Sequence, residues 1–169
     1  IFPILIAVTI LLFFANQGAG VFFTQERPGK DGKIFKVIKF KTMTDERDAE
    51  GNLLPDADRL TPVGKFVRST SIDELPQLIN ILKGDMAIVG PRPALWNQYD
   101  LIEERDKYGA NDVMPGLTGW AQINGYRGDT SIRKRIDCDL YYIENWSMGL
   151  DIKILFLTVF KGFINKNAY

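Results

Sequence analysis

Residues 68–93 read RSTSIDELPQLINILKGDMAIVGPRP. The stretch sets two adjacent carboxylates, Asp73 and Glu74, between Arg68 and Arg92. Behind them Leu75, Leu78, Ile79 and Leu82 recur at helical spacing, so a helix is expected to begin at the carboxylates and end at Gly84. Met86 to Val89 then reads as a short buried strand, and Gly90-Pro91-Arg92-Pro93 as a stiff turn that holds Arg92 in one direction. A helix N-terminus carries partial positive charge and free N–H groups, so it favours anions. Carboxylates and guanidinium groups gathered there suit phosphate handled with a divalent metal.

A purely structural reading competes. Consecutive helical residues point about 100° apart, so only at a helix start can Asp73 and Glu74 both reach one ion. The same geometry makes Asp73 an N-cap, puts Pro76 in the first turn, and lets Ser71 and Glu74 form a capping box. The residues alone leave both readings open.

Composition narrows the chemistry. The 169 residues suffice for one domain with a core, and 21 basic against 21 acidic residues give no bulk attraction to nucleic acid. There is no histidine, which removes Ser-His-Asp and Cys-His catalysis and every His-based metal site. Proton transfer falls to Asp, Glu, Lys, Tyr or water, and a metal would sit on oxygen, which favours magnesium over zinc. The single Cys138 makes no internal disulfide and fits a reducing compartment.

Two segments are apolar enough to touch lipid. Residues 1–15 read IFPILIAVTILLFFA, shorter than the roughly 20 residues that cross a bilayer. The segment fits the tail of a spanning helix, an interfacial or re-entrant helix kinked at Pro3, or a buried core helix. The absence of an initial Met reads as a missing upstream part, and no signal-peptide pattern is visible. Residues 150–163, LDIKILFLTVFKGF, carry Lys153 and Lys161 among large apolar residues, as a helix at the headgroup boundary would. A buried C-terminal core helix is the alternative.

Between these ends, residues 21–24 and 34–40 read as the strands of a β-hairpin whose long loop holds Pro28-Gly29 and Asp31-Gly32. Lys39 and Lys41 share a face of the second strand, where they could meet phosphate or be ordinary surface charge. The acidic stretch 44–59 reads as a solvated loop, followed by a turn and short helix over 60–67. Residues 99–108 and 132–144 read as helices, with a Gly/Pro-rich stretch at 115–125 between them. The expected fold is a small, helix-rich mixed α/β domain with a β-hairpin.

The series of motifs resembles the bacterial sugar transferases, the monotopic phosphoglycosyl transferases. RSTSIDELPQLINILKGDMAIVGPRP is joined upstream by FTQERPG, KIFKVIKFKTM and DERD, and downstream by PGLTGWAQING, DLYYIENWS and LDIKILFLT. The likeness runs in order from about Val21 to the C-terminus. It implies transfer of a sugar 1-phosphate from a UDP-sugar to undecaprenyl phosphate with release of UMP, the first membrane step of exopolysaccharide, capsule or O-antigen assembly. It implies Asp73 as nucleophile, forming a covalent phosphosugar–aspartate, with Glu74 assisting and both at a magnesium ion. It also implies Arg68 and Arg92 on phosphate, Lys41 as the KFKTM lysine, Gln122 lining the nucleotide pocket, and Asp139 as the acidic position of DLYY.

The resemblance further implies a re-entrant membrane helix over residues 1–20 and a catalytic domain over 21–169. The catalytic face would lie at the cytoplasmic leaflet of the bacterial inner membrane, in contact with membrane lipid. A homodimer is one assembly open to the chain, whose oligomeric state the sequence does not give. Two positions depart from the pattern. Phe2 precedes Pro3 where serine is common, and Met114 precedes Pro115 where arginine is common, which removes one anion contact. NGYRGDT and the ending KGFINKNAY resemble members that transfer a neutral hexose 1-phosphate such as glucose or galactose, whereas ERDKYGANDV is closer to other small members. Two other functions compete: a magnesium-dependent hydrolase of nucleotide-sugar diphosphates, which would use the same carboxylates with water as acceptor, and a non-catalytic membrane scaffold of a polysaccharide complex, which need not keep them.

Overall fold

The computed structural model describes residues 2–126 and 130–164. The chain divides into two compact units, residues 1–24 with 38–77 and residues 25–37 with 78–168. The hairpin of β1 (Phe22–Pro28) and β2 (Ile34–Phe40) gives its base to the first unit and its tip to the second.

The first unit is built on α1 (Phe2–Ala15) and α3 (Pro62–Ser69). Its core is Val8, Leu12, Phe40 and Val67, with Leu5, Val21, Val63 and Ile72 packed around it. Val8 and Leu12 are four apart, so α1 buries a narrow stripe. The rest of α1 is as apolar but exposed: Ile4, Ile6, Ile10, Leu11, Phe13 and Phe14 all face outward. A core helix alone therefore does not describe it. No helix among the described residues is long and apolar enough to cross a membrane. Helix α1 runs unbroken to Ala15, with Pro3 in its first described turn.

After α1 the chain reverses through Gln17, Gly18 and Gly20, all at positive φ. Asn16, 1% exposed, fixes the reversal by donating from Nδ2 to the carbonyls of Gly20 (2.8 Å) and Lys41 (2.7 Å). The acidic stretch is a loop pinned by two isolated bridges, Met43 to Leu60 and Arg47 to Leu53, with one turn of helix, α2 (Asp56–Arg59). Thr61 caps α3 by accepting from the Gly64 N–H at 2.9 Å, with Pro62 at the first helical position. Gly64 is required there, because a Cβ would strike the Thr42 carbonyl.

Ser71, at φ +56°, turns the chain into a 3-10 helix over Ile72–Gln77, and α4 (Leu78–Lys83) follows. This corrects the expected start of the α-helix. Pro76 disfavours helical φ/ψ at Leu75 and removes a donor, so α-helical bonding begins beyond it and the carboxylates ride on a tighter turn. Gly84, at φ +81°, ends α4 as expected, with the Asp85 N–H returning to the Asn80 carbonyl.

The second unit holds a parallel pair of three-residue strands, β3 (Ala87–Val89) and β4 (Gly116–Thr118), in register Ala87 to Gly116 and Val89 to Thr118. Helices α5 (Tyr99–Lys107), α6 (Trp120–Ile123), α7 (Ile132–Glu144) and α8 (Met148–Ile164) complete it. One cluster joins Val89, Ile123, Tyr142 and Ile154; another joins Ala94, Leu101 and Ile136. Helix α8 buries Ile154 and exposes Ile152, Phe156, Val159 and Phe160, so it is neither wholly core nor wholly surface. The β3–β4 pair brings the two Gly/Pro-rich stretches together. A Cβ on Gly116 or Gly119 would strike the backbone of Gly90, so GPRP and PGLTG pack main chain to main chain.

The NGYRGDT and KGFINKNAY stretches lie partly outside the described residues, which omit Arg127–Asp129 and residues 165–169.

Candidate functional site

In the first unit the two carboxylates lie on the 3-10 turn in different surroundings. Side chains on such a helix step by about 120°. Glu74 turns inward and is buried, while Asp73 stays partly exposed. Glu74 Oε1 accepts from Lys39 Nζ at 2.9 Å, an ion pair whose side chains are 9% and 16% exposed. The arrangement fixes Glu74 beside a cation and leaves Asp73 nearer the surface.

Arg68 is carried at the end of α3, and its Nε donates to Thr42 Oγ1 at 2.8 Å. That bond orients the guanidinium plane from within KFKTM. Lys41 goes elsewhere: its Nζ donates to Asp45 Oδ2 at 2.6 Å and to the Ala19 carbonyl at 2.9 Å. The Lys41 bond holds the Asp45 carboxyl below its ordinary range. Lys39 and Lys41 therefore do not act as a pair on one anion. Lys39, on the carboxylate, is the lysine whose role the motif does not announce; its position two residues before Lys41 is the available signal.

In the second unit Arg92 is half-buried on the Gly90–Pro93 turn. Gln122, on α6, donates from Nε2 to the Leu117 carbonyl at 3.2 Å. Its Oε1 is buried and accepts no hydrogen bond among the described residues, so a ligand donor could be received there. Asp139 lies on α7, 4% exposed, and takes Arg105 Nη2 at 3.1 Å; Arg105 is 2% exposed. Burial pushes the Asp139 carboxyl above its ordinary range against the pull of Arg105 and Arg135. A carboxylate so enclosed holds α5 to α7, a structural duty that the DLYY motif does not announce. Arg105 and Arg135, both buried, likewise do not stand out in the sequence.

Among the described residues no group of three or more His, Cys, Asp or Glu side chains converges as a metal cage. Adjacent Asp73 and Glu74 still offer an oxygen-only donor set, and magnesium commonly takes one or two carboxylates and fills its shell with water and substrate phosphates. The donor chemistry thus fits that ion and not zinc.

Against known proteins, the family model described as bacterial sugar transferase matches residues 1–165. A Bacillus subtilis (strain 168) protein named "Uncharacterized sugar transferase EpsL" is 51% identical over 163 residues, 96% of this chain and 80% of the relative. The UDP-glucose:undecaprenyl-phosphate glucose-1-phosphate transferase of Escherichia coli (strain K12) is 48% identical over 176 residues, 99% of this chain and 38% of the relative. The UDP-N-acetylgalactosamine-undecaprenyl-phosphate N-acetylgalactosaminephosphotransferase of Aeromonas hydrophila is 39% identical over 93% of this chain and 38% of its own length. The chain thus spans four fifths of the first relative and under two fifths of the other two.

Proposed function

This chain belongs to the bacterial sugar transferase family, and from that premise we propose that it moves a sugar 1-phosphate from a UDP-sugar to undecaprenyl phosphate in two steps on Asp73. The observation that carries this reading is the division of labour on the 3-10 turn, with Glu74 buried against Lys39 and Asp73 nearer the surface. In the first step an Asp73 carboxylate oxygen attacks the sugar-bearing phosphorus. A bond forms from phosphorus to the aspartate, the diphosphate bond breaks, and UMP leaves with the electron pair. In the second step an oxygen of undecaprenyl phosphate attacks the same phosphorus and releases the aspartate. The product is polyprenyl diphosphate sugar.

An aspartate needs no deprotonation at neutral pH, so histidine is not required for the attack. Phosphoryl transfer depends chiefly on positioning and on charge placed against the phosphate oxygens, which is the work assigned to Arg68 and Arg92. Thr42 orients Arg68 for it, and Lys39 holds Glu74 in place. Magnesium, held by Asp73 and Glu74, would offset charge on the transferring group when bound. Gln122 would receive a donor group of the nucleotide through Oε1. Asp139 would act on the substrate indirectly, through Arg105.

The exposed apolar faces of α1 and α8 support seating at a membrane surface, which brings the lipid acceptor to a site open to a soluble donor. Apolar faces carried along helices in this way favour monotopic contact, with the working face on the cytoplasmic side of the bacterial inner membrane, where UDP-sugars are made. Exopolysaccharide or capsule assembly is the process such a product enters.

The test is a panel of UDP-sugars offered to purified protein with and without undecaprenyl phosphate, scoring UMP. The transferase reading expects sustained UMP release only with the lipid acceptor. Equal release in water alone would mean a hydrolase, and no release with any donor would leave a scaffold.

A further inference from the structure

In the turn that carries Arg92, three consecutive carbonyls are each held by a separate donor from a different part of the second unit. The Pro91 carbonyl accepts from the Gly116 N–H at 2.9 Å. The Arg92 carbonyl accepts from Arg105 Nη1 at 3.0 Å. The Pro93 carbonyl accepts from Arg27 Nη1 at 3.0 Å. Each flanking proline also fixes its own φ, and Pro93 restricts the backbone of Arg92 before it.

Such a turn is already stiff. The prolines constrain it, and close packing of Gly90 against Gly116 and Gly119 locks its entry. Water or any neutral donor would satisfy its carbonyls. Two guanidinium groups are used instead, and one of them, Arg105, is 2% exposed and stripped of water, so burial lowers its pKa. Arg105 is in turn fixed by Asp139 through Nη2, which leaves Nη1 for the Arg92 carbonyl. Arg27 is braced the same way, its Nη2 donating to Gln25 Oε1 at 2.9 Å. Each planar fork spans two acceptors, a role a lysine's single point of charge does not reproduce. One desolvated cation and one braced cation, committed to adjacent carbonyls, make a stiff mount, which is what a charged side chain aimed at a phosphate needs.

We infer that Arg27, and Arg105 held by Asp139, are positioning residues that aim Arg92 at the diphosphate of the UDP-sugar. The inference rests on the reading of Arg92 as a phosphate contact. It gives the FTQERPG and DLYY motifs a common purpose, since each supplies or secures a clamp on the GPRP turn.

The experiment is calorimetric titration of the full chain with UDP, which carries the diphosphate common to every donor. Arg92→Ala is expected to weaken UDP at least about tenfold. Arg27→Ala should weaken it roughly three- to tenfold, the scale of one ordinary hydrogen bond felt through the turn, with an unchanged circular dichroism spectrum. Arg27→Lys should restore part of the loss. In the Arg92→Ala background, Arg27→Ala should cost nothing more, because the side chain it aims is gone. Arg105→Lys keeps a charge against Asp139 but not the fork, so the same pattern is expected from it even if Arg27→Ala does not fold. Full UDP affinity in folded Arg27→Ala and Arg105→Lys would overturn the inference while leaving the Arg92 reading intact. Equal losses in both backgrounds would overturn it in the same way. Unchanged affinity in Arg92→Ala would remove the phosphate reading itself, and the clamp with it.

Discussion

Replacing Asp139 by alanine should strongly destabilise the helical core of the second unit. The side chain is 4% exposed and meets Arg105, 2% exposed, at 3.1 Å, with Arg135, 6% exposed, close enough to act on it through charge. The pair itself adds little, because desolvation of both ions consumes most of the attraction. The cost comes from stranding the guanidiniums: removing one partner of a buried pair destabilises by about 3–5 kcal/mol. At roughly 2–4 °C per kcal/mol for a chain of this size, the melting temperature should fall by about 6–20 °C. Asp139→Asn, which keeps the shape and an acceptor oxygen, should lose less. The double variant Arg105→Met/Asp139→Leu should cost less than the sum of its single changes, because no charge is left unpaired by that pair. Thermal and urea unfolding of the detergent-solubilised chain, followed by circular dichroism, reads all of these. A stability change under about 0.5 kcal/mol for Asp139→Ala would refute the reasoning, and lost UDP binding in that variant with full affinity in Arg105→Lys would return Asp139 to direct contact with substrate.

Other expected outcomes follow from single contacts. Lys39→Met should destabilise by about 1.5–3 kcal/mol, because Glu74 loses a charged donor in a buried setting; denaturant midpoints check this, and Glu74→Gln in the same background should recover part of the loss. Gly116→Ala should cost at least about 1–3 kcal/mol, since its Cβ meets the backbone of Gly90 and Thr118, and a wild-type melting curve would contradict the close packing. Burial first, then the nearby Asp139 and Asp137 charges, pushes the Cys138 thiol up, so its reactive thiolate is scarcer at pH 8 than that of a free cysteine near 8.5. Iodoacetamide labelling should therefore rise through a midpoint more alkaline than that of glutathione, and a midpoint below it would contradict the environment described. Phe156→Glu with Phe160→Glu should reduce binding to anionic vesicles by roughly tenfold or more per residue, on the scale of about 1.5–3 kcal/mol for burying each ring; unchanged flotation would count against α8 as a lipid contact.

Much of this fold is legible because its signals are local. Leu75–Leu82 spacing, Gly84, the second hairpin strand and the 132–144 helix each depend on neighbours within a few residues, and the structure has them at or near those bounds, whereas the first hairpin strand runs past its expected end at Thr24 to Pro28. The start of the carboxylate helix differs because Pro76 does more than occupy a first turn: its effect on Leu75 keeps the turn 3-10. Strand β4 is not visible as a strand in the sequence: three residues opening with a glycine carry no alternation, and only pairing with β3 makes them one. The site divides in the same way. Asp73, Glu74, Arg68 and Arg92 stand out as a sequence cluster, but the partners that orient them are distant in sequence: Lys39 by 35 residues for Glu74, Thr42 by 26 for Arg68, and Arg27 by 66 for the Pro93 carbonyl. No local pattern reports such contacts. Asp139 is legible as a motif residue but not as a buried ion pair, since its partner Arg105 lies on another helix.

The central claim is that Asp73 becomes covalently bound to the sugar phosphate. Intact-protein mass spectrometry after exposure to a set of UDP-sugars, with undecaprenyl phosphate withheld, reads it directly. One of the donors should add the mass of a single phosphosugar, peptide mapping should put it on Asp73, and adding the lipid acceptor should remove it. Asp73→Asn should show neither adduct nor turnover. Product formation at full rate with no added mass on Asp73, or in the Asp73→Asn variant, would contradict the account.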